Sequence, residues 1–212
     1  MASTVNTESE GVIKYQLDFE RAGAVEDDLE QLNVWRSILY GLQLIGQDPA
    51  RYEGYGFGNL SQRRPGDTRE FIISGTQTGH LPVLDNGDYV CVLACDIAHN
   101  RVAAQGPVQP SSEALTHAMI YQLNPSIRCV MHAHDPRLWR YGLDHAIPAT
   151  DASVAYGTIE MAREVERLYR ETSLPYCRTL VMAGHEDGVI TFGDSIDAAG
   201  QAMLSLWLSA DS

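Results

Sequence analysis

The chain has 212 residues, with 28 acidic against 15 basic side chains and a net charge of −13. That balance argues against nucleic acid, because a phosphate backbone needs clustered Lys and Arg to displace its counterions. At 44% hydrophobic and 20% charged it has an ordinary globular composition, able to bury roughly two-thirds to three-quarters of its unfolded surface without staples.

The opening MASTVNTESEG is small, polar and without periodicity, so residues 1–12 read as a loose arm and 13–212 as one domain. No signal-peptide core and no run near the roughly 18 apolar residues of a membrane span occurs, which predicts a cytoplasmic protein with no membrane partner. From Val25 to Gly46 apolar residues such as Leu29, Leu32, Ile38, Leu39, Leu42 and Ile45 recur at helical spacing. Asp27 or Asp28 suits the start of that helix and Gly46 its stop. A Gly-rich stretch, GYGFGNLSQR, precedes EFIISG, which is β-branched and aromatic like a strand. DYVCVLACDIAHNRVA reads as strand, turn and strand.

PSSEALTHAMIYQL opens a helix, with Glu113 in the first turn where the macrodipole favours an acid. IRCVMHAH is a strand, DPRLWRYGL a short helix and GTIEMAREVERLYRE a longer one. RTLVMAGH and GVITFG are short strands, and SIDAAGQAMLSLWLS closes the chain as a helix. This order predicts an α/β layered domain without a strict βαβ rhythm. Cys91, Cys95, Cys129 and Cys177 form no C-x-x-C pair, and three lie in apolar stretches, so they read as structural thiols.

The chemistry concentrates in HAHDP at 132–136. On a strand, side chains at i and i+2 share a face, so His132 and His134 project together, as two imidazoles binding a divalent ion would. H-x-H alone equally describes hydrogen-bonded or solvent-facing histidines. His185 ends a second apolar stretch and adds a third nitrogen, its alternative being a turn histidine. Glu113 is either a fourth member or only a favourable helix-start acid. Three neutral nitrogens and a carboxylate suit Zn²⁺ first, with Mn²⁺, Fe²⁺ or Co²⁺ also compatible by ligand type. Two Gly-rich segments, GFGNLS with Asn59 and Ser61 and SGTQTG with Ser74, Thr76 and Thr78, could cradle an anion on backbone N–H groups or be ordinary turns.

In order along the chain, GNLSQR (58–63), SGTQTGHLP (74–82), PSSEALTHAMIYQLNPSIRCVMHAH (110–134) and GHEDGVITFG (184–193) resemble the class II aldolase/adducin family across roughly residues 30–205. The resemblance implies a three-layer α/β/α domain around a mainly antiparallel sheet, in a homotetramer acting on a small molecule. It implies metal ligands at His132, His134 and His185 and a catalytic acid/base at Glu113. A substrate cradle falls at Asn59, Thr78, Gly79, Ser111 and Ser112, and His117 takes a structural place. The implied activity is an aldolase-type lyase that makes or breaks a carbon–carbon bond beside a carbonyl in a hydroxy-carbonyl or sugar-phosphate compound, through a metal-stabilised enediolate. Epimerisation, dehydration or decarboxylation at the same metal is the alternative, and a non-catalytic adducin-like binding module the second. Two positions depart from the family pattern. Glu186 and Asp187 intervene before Gly188, either capping a turn or facing the metal. The family's second acid falls near IPATDASVAYG, where Asp151 and Tyr156 are the nearest candidates.

Overall fold

Alternation along the strands divides the apolar residues between two cores. On β8 (Cys129–His134), Cys129, Met131 and Ala133 face one core, and Val130 faces the other. By the same period of two, His132 and His134 lie on the Val130 side. The computed structural model describes residues 11–66 and 69–211; the expected arm at 1–12 falls largely outside them.

The strands are β1 (Gln16–Arg21), β2 (Gly46–Gln47), β3 (Gly56–Phe57), β4 (Asn59–Arg63), β5 (Phe71–Ser74), β6 (Tyr89–Asp96), β7 (Arg101–Gly106), β8, β9 (Thr179–Val181) and β10 (Gly188–Gly193). The helices are α1 (Glu30–Gly41), α2 (Ala114–Leu123), α3 (Pro136–Asp144), α4 (Ile159–Glu171), α5 (Leu174–Cys177) and α6 (Ile196–Ala210). Eight strands form one sheet in the order β1-β7-β6-β5-β4-β8-β10-β9, and β2 pairs separately with β3. Among the named strands of this sheet the β1–β7 pair is parallel and the other pairs are antiparallel. Helices α2 and α4 cover one face through Leu115, Ala118, Met161 and Val165, against Phe71, Ile73, Val90 and Ile190. Helices α1, α3 and α6 cover the other through Leu32, Leu39, Leu138 and Met203, against Ile72, Met131 and Val189. The fold is therefore the three-layer α/β/α sandwich around a mainly antiparallel sheet.

Side-chain caps set several helix starts, as the loss of four backbone partners at each helix end requires. Asp135 accepts from the N–H groups of Arg137 (2.7 Å) and Leu138 (3.2 Å), Thr158 from Met161 (3.2 Å) and Ser195 from Ala198 (3.0 Å). Trp35 of α1 donates to Asp197 of α6 at 2.7 Å, and its ring lies where a Cβ on Gly200 would be.

The structure corrects three expectations. The first helix runs from Glu30 to Gly41 and not from Val25 to Gly46, because Gln43 turns to φ +60° and the Leu44 N–H returns to the Leu39 carbonyl (2.9 Å), which closes the helix end. Asn59 and Ser61 lie on β4 and not on a turn, with Gly58 (φ +76°) as the bend before it. Glu113 sits at the N-cap of α2, one residue ahead of the first turn. Strand β1 carries a weak alternation that sequence reading passed over.

Arg36, 1% exposed on α1, donates to the carbonyls of Pro82 (3.0 Å) and Thr78 (3.3 Å) and so ties down the loop after β5. Arg36→Met leaves these carbonyls without that donor. It should cost about 1–3 kcal/mol, read as a lower urea midpoint at unchanged slope.

Candidate metal centre and anion pocket

Register brings the histidines together. His132 lies opposite Asn59 of β4 and Ile190 of β10, and His134 lies opposite Gly188. His185 comes from the tight turn joining β9 to β10, closed by His185 N–H to the Met182 carbonyl (3.0 Å) and Gly188 N–H to the His185 carbonyl (2.9 Å). Gly188 leaves room between two of the rings: a Cβ there would sit 3.2 Å from His185 Nδ1 and 3.3 Å from His132 Cε1. One nitrogen from each of His132, His134 and His185 lies within 4.8 Å of the others, and all three residues are buried.

The donor set fits a divalent cation. The Val189 carbonyl can only accept, so His132 Nδ1, 3.1 Å away, carries the proton and leaves the Nε2 lone pair facing the cluster. His132 Nε2 and His134 Nε2 are 2.9 Å apart. Glu113, 1% exposed, places Oε1 3.9 Å from His185 Nδ1. A carboxylate this deeply buried needs positive charge close by, and a cation among the three nitrogens would supply it. Ser111 Oγ accepts from the Glu113 N–H (3.2 Å), and Tyr15 OH donates to the Ser111 carbonyl (2.8 Å), which fixes the turn ahead of α2.

The predicted cradle residues also meet. Asn59, Thr78, Gly79, Ser111 and Ser112 line one polar pocket together with Gly11 and Gln77, beside His132 and Glu113. Among the described residues no lysine or arginine lines it, and its polarity comes from glycine backbone, hydroxyls and amides. Asn59 Oδ1 is buried there without a hydrogen-bond partner among the described residues. Gly79 is required by close approach, since a Cβ would run into the Gly46 carbonyl and the Gly56 Cα.

Other candidates fall elsewhere. Ser61 turns away from the pocket to Nδ1 of His117 and to Tyr121 OH, both at 2.8 Å, and Ser74 Oγ accepts from the Leu60 N–H at 3.2 Å. Asp151 is exposed, and the Ser153 hydroxyl and N–H hold its carboxyl below the usual range in a turn. Glu186 is exposed. Asp187, at φ +62°, accepts from Tyr52 OH at 2.7 Å. Sequence reading missed Tyr52, whose ring meets His134 edge-on at 4.9 Å, and Arg51, which lies over the Tyr52 ring. No motif marks either, because their place depends on the loop after α1 folding back. All four cysteines are free, with Cys91 and Cys129 buried and Cys177 exposed.

The fold is an α/β/α sandwich with three histidines and a glutamate gathered in its interior. The chain belongs to the Class II Aldolase and Adducin N-terminal domain family, which matches residues 50–211. It is 26% identical over 171 residues to a methylthioribulose-1-phosphate dehydratase from Leptospira biflexa, covering 68% of this chain and 79% of that one. Human beta-adducin is 29% identical over 96 residues, 39% of this chain and 12% of that protein. Among solved structures, an L-fuculose 1-phosphate aldolase superposes with a TM-score of 0.65 at 20% identity, covering 89% of this chain and 85% of that one. The L-fuculose-1-phosphate aldolase of Thermus thermophilus gives 0.58 at 20% identity, over 85% of this chain and 89% of that one.

His117 is fully buried on α2, and burial, followed by the nearby His132, holds its pKa well below 6.5. It stays neutral in the fold while the unfolded chain takes up a proton below about pH 6.5, so this group makes stability fall on acidification. His117→Asn, though less stable at pH 7.5, should lose less of its urea midpoint between pH 7.5 and 5.5 than the parent does.

Proposed function

We propose that this chain is a metal-dependent lyase for a small, anionic hydroxy-carbonyl compound. The observation that carries the reading is the convergence of His132, His134 and His185 with the Glu113 carboxylate 3.9 Å from His185, next to a polar pocket. His132, His134 and His185 would hold one divalent ion, Zn²⁺ first and Mn²⁺, Fe²⁺ or Co²⁺ as alternatives. A bound ion supplies Lewis acidity that draws negative charge onto a substrate carbonyl and the adjacent hydroxyl. Asn59, Thr78, Gly79, Ser111 and Ser112 receive the anionic end, phosphate or carboxylate, through neutral donors. Glu113, fixed by the Ser111 turn, takes a proton from the substrate and returns it, while burial keeps bulk water from competing.

In the aldolase reading the bond that breaks joins the carbonyl's neighbour to the next carbon, in keeping with the sequence motifs. Dehydration is the second reading, favoured by the relative named a methylthioribulose-1-phosphate dehydratase, which aligns with 68% of this chain. There hydroxide leaves that next carbon, and it needs a proton to depart as water. Among the described residues no helix is long and apolar enough to cross a membrane. On the strength of the family resemblance the chain would assemble as a homotetramer.

His134→Ala should lose the metal and the activity while keeping the fold, measured by metal content, turnover and circular dichroism. Glu113→Gln should keep the metal and lower turnover by about 10²-fold or more. Product analysis on a panel of sugar phosphates separates cleavage, which yields two carbonyl fragments, from dehydration, which yields one product lighter by water. Full activity in metal-free His134→Ala protein would overturn the site.

A further inference from the structure

Tyr156 is 3% exposed, and its ring stacks on the ring of His185 with centroids 4.5 Å apart and planes 21° from parallel. The ammonium of Lys14, the only lysine in the chain, lies 3.8 Å from the centroid of the same ring. With His185 stacked against one face of the ring, this cation occupies the other, so Lys14, Tyr156 and His185 form three layers. The Tyr156 hydroxyl accepts from the Val12 N–H at 3.2 Å.

The loop that carries Tyr156 is pressed against both halves of the site. A Cβ on Gly184, the residue before His185, would run into the Val154 carbonyl. A Cβ on Gly157, at φ +66°, would sit 3.1 Å from the carbonyl of Ser112, the residue before Glu113. Thr150 Oγ1 accepts from the Ala183 N–H at 3.0 Å and joins the start of the loop to the His185 turn. Of the three histidines, His132 and His134 are fixed by a strand paired on both edges, whereas His185 stands on a turn and needs another support.

We propose that Tyr156 is a positioning residue that holds the His185 imidazole by stacking, backed on its outer face by Lys14. It sets the third arm of the centre rather than serving as the second acid. The planar ring leaves His185 one orientation in which its nitrogen faces His132 and His134, and a residue without a ring leaves several. The same contacts bring the segment from Gly11 to Lys14 into the site, since Gly11 lines the anion pocket, Val12 bonds to Tyr156 and Lys14 covers it.

This inference rests on His185 being a metal ligand, and the test keeps the two apart. Zn²⁺ affinity is measured by competition with a chromophoric chelator on the full chain, for the parent, Tyr156→Phe and Tyr156→Met. The visible spectrum of each Co²⁺-loaded protein is recorded as well. Methionine fills much of the buried volume without a planar face, and phenylalanine keeps the face without the hydroxyl. The expected result is parent-like affinity and spectrum for Tyr156→Phe. Tyr156→Met should bind Zn²⁺ about 10-fold more weakly or worse, with an altered Co²⁺ spectrum. If Tyr156→Met does not fold, Lys14→Met, which leaves the ring but removes its backing, should raise the rate of Zn²⁺ loss to the chelator. Parent-like affinity and spectrum in Tyr156→Met, or an equal loss in Tyr156→Phe, overturns the stacking role and leaves the metal site standing. No Zn²⁺ bound by the parent overturns the metal site itself.

Discussion

The centre depends on β8 being paired along both edges. Its antiparallel bonds to β4 on one side and β10 on the other leave His132 and His134 no freedom along the strand, and a slip of one residue would turn both imidazoles into the opposite core. The same pairing sets Asn59 beside His132 and Gly188 beside His134, so the anion pocket and the metal centre share a single register. Helix α2 then closes the site from above. It is buried from Ala114 through Tyr121, and its packing against the sheet brings Glu113 to the histidines.

Around this rigid element the remaining functional groups sit on turns, and close backbone approach makes those turns stiff. Gly79 against Gly46 and Gly56 shapes the anion pocket, Gly184 against Val154 seats the His185 turn, and Gly188 lies between two imidazoles. Arg36 adds a charged tether by reaching from α1 to the carbonyls of the pocket loop. The cluster is thereby held rigidly: a strand carries two of the histidines, and braced turns carry the third and the polar pocket beside it.

The acidic composition of the chain is not repeated at its centre. Glu113 is the carboxylate beside His185, while Asp187 is turned to Tyr52 and Glu186 and Asp151 face solvent. A neutral, hydroxyl-rich pocket beside a buried carboxylate suits a substrate that brings its own negative charge to a cation.

Local sequence was enough for β5 through β10, for α2, α3, α4 and α6, and for the pairing of His132 with His134. Period-two and period-3.6 apolar patterns, caps at Asp135, Thr158 and Ser195, and H-x-H spacing all act within a few residues. His185, Glu113, Asn59 and Thr78 stood out as separate candidates along the chain, and the family resemblance added the layer order and joined them with Gly79, Ser111 and Ser112 into one expected site. Only the tertiary structure decided the path of the chain after α1, where the Leu44 carbonyl accepts from the His134 N–H, 90 residues on. It also separated Tyr156 from Asp151 and turned Asp187 to Tyr52. Those outcomes depend on contacts between distant segments, whose strength comes from burial and register that no local window of residues carries.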